Sequence, residues 1–424
     1  MTIFDVDKWQ EILHALKKNK LRTFLTAFGV FWGIFMLMIM LASGNGLRKG
    51  VMNDFGDFAT NSAFVWTRST TMPYKGFPRG RRVRMSNDDM MALRKNIPEI
   101  EYLAPRLQGW GGEENAVSYK DKSGAFTIQG DYPEYNLIDP SILLSGRFIN
   151  PTDIKDNRKV AVIGNRVVDV LFSKEEDPIG EYIKIRGVYF KVVGVFKPGS
   201  QAISFGGDKA KTIILPFTSL QKAYNFGDIV HYFSITAKAG YPASLVEEKA
   251  IQIIKQRNHI HPDDKQAVGH FNIEKQFKQM TGLFTGISGL VWIVGIGTLL
   301  AGVIGVSNIM LVIVKERTKE IGIQRALGAT PANVIAQIIT ESVFLTSFAG
   351  YFGLVVGVGV VELINRALAN TGTSGESTMF KDPSVDFNIA ITALIILVIS
   401  GALAGMIPAS RAVKIKPIEA LRTE

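Results

Sequence analysis

His259 and His261 stand one residue apart, and this His-x-His pair is the chain's nearest approach to a metal-binding motif. No further His, Cys or carboxylate sits at ligand spacing, so the pair is expected in a surface loop and no metal site is assigned. Asp and Glu are scattered, with neither a Ser/His/Asp set nor a carboxylate pair spaced for acid–base work, and no catalytic residue is assigned. Gly-x-x-x-x-Gly-Lys-Ser/Thr does not occur, so nothing in this sequence cradles the phosphates of a nucleotide. Arg79-Gly-Arg-Arg-Val-Arg84 is a basic cluster without interleaved aromatics. It speaks against nucleic acid and for a solvated loop, with an acidic partner or anionic lipid as the alternative. Glu341 is the single charge in a long apolar run, and an intramembrane carboxylate is a functional candidate by default. Its place near one end of that run favours pairing with Lys or Arg of a neighbouring helix over proton transport.

The densest pattern is mechanical rather than catalytic. An uncharged run from Thr281 to Val314 leads into Lys315-Glu-Arg-Thr-Lys-Glu320 and then Ile321-Gly-Ile-Gln-Arg325. As a helix the run is roughly 50 Å long against roughly 30 Å of bilayer hydrocarbon, too short for two crossings and too long for one. The reading is one helix that crosses the membrane, projects on one side and carries a short helical segment on the other. Phe277, Met280, Phe284, Ile287, Val291 and Val294 are spaced as a heptad seam along the projecting part, where a second copy is expected to pair. The competing reading is an ordinary apolar helix with the same spacing by chance. Gly328 is placed to end the short helix, and Thr330 and Pro331 to start the next as N-cap and N1.

Of the 424 residues 47% are hydrophobic, too many for a soluble protein and too few for a wholly intramembrane one. The net charge of +10 crowds the membrane-flanking segments and needs no nucleic acid. Without cysteine there is no disulfide framework and no thiolate metal site.

In order, the chain reads as a surface-lying amphipathic helix (1–22), transmembrane helix 1 (23–43) and a large inserted domain with stalk (44–276). A stalk and transmembrane helix 2 follow (277–314), then a cytoplasmic segment (315–331), transmembrane helix 3 (332–361), an outside loop (362–386), transmembrane helix 4 (387–410) and a basic tail (411–424). A signal peptide competes for 23–43 but has a shorter apolar region, so the helix is read as retained. Gly44 to Phe58 is a possible prolongation of helix 1. The inserted domain alternates strands and helices, giving a mixed α+β domain of two lobes, the more β-rich one near 145–215. Ser86 with Asp89 forms a capping box, and paired strands turn at Gly187. Residues 14–22, 315–330 and 411–424 carry four Lys or Arg each and the 362–386 loop two, which puts both termini inside and the large domain outside. Glycine pairs four apart (Gly29/Gly33, Gly282/Gly286, Gly353/Gly357, Gly401/Gly405) suggest a tightly packed bundle and a dimer contact.

This layout resembles the FtsX/MacB-type permeases of ABC transporters. Val314 through Ala329, with Arg317, Glu320-Ile-Gly and Arg325-Ala-Leu-Gly-Ala, looks like the family's coupling segment, and Pro408-Ala…Pro417…Ala420-Leu-Arg is similar to its terminus. Gly146-Arg-Phe, Val160-Ala-Val-Ile-Gly and Asp177-Pro-Ile-Gly resemble the MacB-type periplasmic core. The resemblance implies a multi-pass protein of the bacterial inner membrane, bound as a homo- or heterodimer to two copies of an ATPase that holds ATP and Mg. That ATPase is expected as a separate protein, this chain being no enzyme and holding no cofactor. A periplasmic adaptor and outer-membrane duct are further candidate partners. Arg317, Glu320, Ile321, Gly322, Ile323, Arg325, Ala326, Leu327 and Gly328 are the implied ATPase-coupling residues, with Ile323, Ala326 and Leu327 in the dock and Glu320 and Arg325 at its rim. Export by mechanotransmission is the first expectation. An FtsX-like transducer regulating cell-wall hydrolases and a lipoprotein-releasing permease stay open beside it.

Overall fold

The computed structural model describes residues 20–55, 58–109, 116–199, 207–370, 383 and 387–415. The surface helix expected before residue 20, nearly all of the loop from 371 to 386 and the tail from 416 lie outside these. In chain order the elements are α1 (Lys20–Phe55), β1 (Ser62–Thr67), β2 (Met85–Ser86), α2 (Asn87–Asn96), β3 (Ile100–Gln108), β4 (Ala116–Tyr119), β5 (Lys122–Ala125) and β6 (Thr127–Asp131). Then come α3 (Tyr135–Ile138), β7 (Ser141–Gly146), α4 (Pro151–Lys155), β8 (Val160–Gly164), α5 (Asn165–Leu171), β9 (Tyr182–Ile185), β10 (Val188–Pro198), β11 (Thr212–Pro216) and α6 (Phe217–Ala223). The rest are β12 (Ile229–Val230), β13 (Tyr232–Ala237), α7 (Ala243–Arg257), β14 (Val268–Asn272), α8 (Ile273–Glu316), α9 (Thr318–Ala326), α10 (Pro331–Asn370) and α11 (Phe387–Val413). They fall into two units, one of Met1–Val51 with Leu283–Glu424 and one of Met52–Gly282.

In the first unit α1, α8, α10 and α11 are each long and apolar enough to cross a membrane. With no hydrophobic drive between helices in lipid, close packing must hold them, and small residues permit it. At Gly353 an added Cβ would lie 2.6 Å from the Phe31 carbonyl oxygen, and at Gly401 it would lie 2.1 Å from Thr346 Oγ1. Gly33 packs on Thr298, Gly357 on Met38 and Gly405 on Ser342, whereas Gly282 and Gly286 meet nothing within 4 Å in this chain. Gly295 and Gly302, seven apart, face Leu37 and Val30 of α1. Two turns of helix separate that pair, so a search for glycines four apart passes over it.

Two helices run past their transmembrane bounds, the first along the prolongation from Gly44 that the sequence offered. Helix α1 runs to Phe55, and α10 to Asn370 rather than Val361. The extension of α10 keeps apolar Leu363, Ile364 and Leu368, and Arg366 donates to Glu362 one turn earlier at 3.0 Å, a pairing that favours helix. A charge ends a hydrophobic run but not a helix.

The second unit carries a sheet in the order β14-β1-β13-β3-β6-β11-β8-β10-β9-β4-β5, with β7 beside β10. Its local signals are clear. Ser86 and Asp89 bond each other's backbone as a capping box, and so do Asn150 and Asp153. Strands β9 and β10 turn through Arg186 and Gly187, both at positive φ (46° and 84°), as a two-residue hairpin loop of the I′ kind requires. The second lobe starts with β4 at Ala116, well before 145, because β4 and β5 close its far edge.

The lobes are joined at β3 and β6 by two register pairs, Leu107 with Gly130 and Gln108 with Gln129. Beside them lies Arg106, 2% exposed, its guanidinium gripping Asp131 through Nε (2.5 Å) and Nη2 (2.6 Å). The ring of Tyr135 stacks 3.6 Å from its Cζ, and Nη1 donates to the Tyr232 hydroxyl at 3.1 Å. Breaking a buried pair by removing one charge costs about 3–5 kcal/mol, because the other is left buried and uncompensated. Asp131→Asn is therefore expected to destabilise this domain by about that amount in urea-dependent proteolysis of the full chain, and Arg106→Met with Asp131→Leu together by much less. Equal resistance of wild type and Asp131→Asn would refute this account of the junction.

Candidate functional site

Helix α8 is one continuous element of 44 residues, roughly 66 Å long. It stops at Glu316, and α9 starts at Thr318. Arg317 stands between them with φ −91° and ψ 12°, and no side chain caps α9. Its guanidinium is shared instead. Nε and Nη2 hold both carboxylate oxygens of Glu320 at 2.9 and 2.7 Å, while Nη1 donates to Glu341 Oε1 at 2.9 Å. Glu341 sits in α10, so one cation ties three successive helices. The pairing expected for Glu341 thus has Arg317 as its partner, from the bend rather than from a neighbouring membrane helix.

The far end of α9 closes with a Schellman motif. Ala329 N–H donates to the Gln324 carbonyl at 3.0 Å, Gly328 N–H to that of Arg325 at 3.2 Å, and Gly328 takes φ +99°. Asn333 N–H then bonds Thr330, whose neighbour Pro331 opens α10. Arg325 Nη1 donates to the carbonyls of Val413 (2.6 Å), the last residue of α11, and Ile415 (2.7 Å), two residues beyond it. Those carbonyls lack partners within that helix, and a cation there also meets the negative end of its dipole. The sequence reading put Arg325 at the rim of a dock. Here its guanidinium is spent on the chain's own last helix.

The coupling residues therefore divide. Arg317, Ile321, Gly322 and Arg325 turn towards the bundle, Ile321 joining an apolar cluster with Val314, Val334 and Ile338. Glu320 faces outward while bound to Arg317. Ile323 is 47% exposed and Leu327 84%, with Ala326 and Gly328 exposed beside them. The heptad seam divides as well. Phe284 and Val291 are buried within the chain, Phe277 and Met280 half-buried, and Ile287 and Val294 exposed. A six-residue stripe is wider than one contact line, and α8 turns one edge of it inward.

His259 and His261 lie against a hairpin of the inserted domain, where His259 stacks on Phe77 and His261 meets Tyr74 edge-on. Among the described residues no three His, Cys, Asp or Glu group as metal ligands. The Arg325 contact had no signal in the sequence beyond a cation late in a short helix. The His–aromatic contacts had none.

Residues 23–253 match the family described as MacB-like periplasmic core domain, and residues 292–417 the FtsX-like permease C-terminal family. The chain is 29% identical to the macrolide export ATP-binding/permease protein MacB of Bdellovibrio bacteriovorus, over 97% of this chain and 60% of that one. It is 30% identical to the protein of the same name from Chlorobaculum tepidum (98% and 61% covered). It is 28% identical to the pyoverdine export ATP-binding/permease protein PvdT of Pseudomonas putida (96% and 58%). The chain thus spans about 60% of the length of these relatives. The periplasmic region of MacB from Actinobacillus actinomycetemcomitans aligns in structure over 53% of this chain and 94% of its own, with 15% identity and a TM-score of 0.42.

The clamp can be tested by thiol labelling, since the sequence has no native cysteine. Cysteine at Ile321 is expected to resist a water-soluble maleimide and to react several-fold faster when Glu341→Ala or Arg325→Ala is added. Cysteine at Leu327 should react fast in every background. If position 321 labels as fast as 327 in the otherwise unaltered chain, α9 is not clamped.

Proposed function

Because the chain belongs to the MacB- and FtsX-like permeases of ABC transporters, we propose that it couples ATP hydrolysis by a nucleotide-binding partner to movements of its inserted domain that drive export. The observation that carries this is α9 itself, held at both ends by Arg317 and Arg325 and bare on its outer face at Ile323 and Leu327. A helix fixed to its own bundle moves the bundle when a partner moves the helix. The sequence holds no phosphate-binding Gly-x-x-x-x-Gly-Lys-Ser/Thr, so hydrolysis is assigned to an ATPase outside it, in two copies per complex with ATP and Mg. Positive charge flanking α9 supports a cytoplasmic position for that partner and both termini, with the inserted domain on the outer side of the inner membrane.

A second permease copy, or a paralogue, completes the complex in this reading. Among the described residues nothing lies within 4 Å of a Cβ added at Gly282 or Gly286, and Ile287 and Val294 are exposed along the same helix, which suits close approach of a second α8. The relatives' names speak of export, which supports an exporter over a regulator of cell-wall hydrolases or a lipoprotein-releasing permease. A periplasmic adaptor and outer-membrane duct are the further partners an export path across two membranes calls for.

Leu327→Asp sets a charge in the middle of the outer face while leaving the Arg317 and Arg325 contacts intact. It is expected to abolish stimulation of the partner ATPase while the permease still inserts. Unaltered assembly and ATPase activity would reject the dock.

Cysteine at Ile287 is expected to cross-link two copies in one nucleotide state of the full complex and much less in the other. A disulfide forms only when Cα atoms come within about 7 Å. Cysteines at Leu283 and Gly289 serve as controls and should cross-link weakly throughout. Equal cross-linking at 287 in all states would make α8 a passive stalk.

A further inference from the structure

The inserted domain carries an open groove of about 590 Å³ that the coupling role does not use. That volume lies within the roughly 300–1,000 Å³ of small-molecule sites. One wall is the segment Arg82–Val83–Arg84. Val83 is buried and its carbonyl accepts from Thr67 Oγ1 at 2.9 Å, so the two flanking arginines are held pointing outward on an extension of β1. The opposite wall is aromatic. Tyr224 and Phe226 stack at 5.5 Å between centroids, and His231 meets Phe226 edge-on at 5.1 Å. Over the Tyr224 ring, at 4.8 Å, lies the guanidinium of Arg186, which the I′ turn between β9 and β10 delivers from the other lobe.

The polar groups here are donors. Gln108 N–H donates to His231 Nδ1 at 3.0 Å, so the imidazole keeps its proton on Nε2. Burial first, and then the charges of Arg82 and Arg84, hold the pKa of His231 below its ordinary value, so the ring is neutral at pH 7. Among the described residues no carboxylate forms an ion pair with Arg82, Arg84 or Arg186. Guanidiniums with no carboxylate partner among the described residues, in a groove that also offers aromatic side chains, match a flat anion, since the planar fork binds a carboxylate through two parallel bonds.

We propose that this groove binds a small organic carboxylate borne on a flat ring, with Arg82 and Arg84 on the carboxylate and the Tyr224–Phe226–His231 wall against the ring. The inference stands apart from the coupling reading, since it concerns the inserted domain alone and needs no ATPase. The competing account is a pair of solvated surface arginines.

Calorimetry on the full chain in phosphatidylcholine nanodiscs separates the two, with 2-naphthoate as the probe and 2-naphthamide, cyclohexanecarboxylate and inorganic phosphate as comparisons. Naphthoate is expected to bind at least about tenfold more tightly than each of the three, since naphthamide lacks the charge and cyclohexanecarboxylate and phosphate lack the flat ring. Arg82→Gln with Arg84→Gln should weaken naphthoate by at least about tenfold, and Arg84→Lys by less, because the charge survives without the fork. Arg79→Gln, exposed outside the groove, should change nothing. An unshifted thermal midpoint in each variant shows that the domain is intact, and Arg84→Lys supplies the reading should the double variant fail to fold. No naphthoate binding at about 5 mM, equal binding of naphthamide or phosphate, or indifference to both arginine substitutions would overturn the proposal.

Discussion

One guanidinium holds the membrane part of this chain to its purpose. Arg317 stands where a 44-residue helix ends, and without it the bend into α9 would be a hinge. A bend of this kind transmits force only if its angle is fixed. Two backbone hydrogen bonds carry the chain through it, Arg317 N–H to the Ile313 carbonyl at 2.9 Å and Ile321 N–H to that of Arg317 at 3.0 Å, but neither ties it to α10. The fixing is done by charge, with Glu320 on the near side of the bend and Glu341 on the next membrane helix sharing a planar donor that reaches both. Lysine has three donors but no planar fork, so it would meet the two carboxylates without the bidentate geometry that fixes Glu320. The arrangement also answers why a carboxylate lies at the end of an apolar helix. It is a tether, and its cost in burial is offset by the cation brought to it.

The other end of α9 uses a different resource. Arg325 supplies cations to backbone oxygens that α11 leaves without partners, and so consumes no carboxylate. Together the two arginines make α9 a rigid handle with its inner face in the bundle at Ile321 and Gly322. Its outer face is left to whatever presses on Ile323 and Leu327. An apolar side chain at 84% exposure beside a membrane is unfavourable in isolation, and its rigid mounting keeps it from folding back into the bundle.

What was legible in the sequence follows from the range of each signal. Apolar length marked four membrane helices. Side chains adjacent in the chain marked the capping box at Ser86, the Gly328 stop and the Thr330–Pro331 start. Contacts between distant residues left no such trace. Arg325 meets Val413 88 residues further on, and His259 meets Phe77 across most of the inserted domain. Gly295 and Gly302 mark the contact of α8 with α1, yet only a neighbouring helix distinguishes them from the many other glycines of the run. The heptad residues face two ways, Phe284 and Val291 into the chain and Ile287 and Val294 out of it, since spacing gives the direction a residue faces but not which neighbour waits there. The end of α10 was drawn too early for the opposite reason, a charge being taken for a stop although its i,i+4 partner prolonged the helix.

The same logic of fixed angle governs the inserted domain. Two register pairs between β3 and β6 keep one sheet continuous through two lobes, but two pairs alone would twist freely about their axis. Arg106 lies beside that axis, and its partners come from different directions: Asp131 at the end of β6, Tyr135 on α3 and Tyr232 on β13. A bidentate pair is planar, so rotating one lobe against the other would have to break two short hydrogen bonds at once and leave both charges buried. Apolar residues of equal volume could fill the space at no loss of stability, yet they would set no preferred angle, because dispersion has no direction. The charges at Arg106 and Asp131 thus serve orientation more than stability, as those at Arg317 do in the membrane unit.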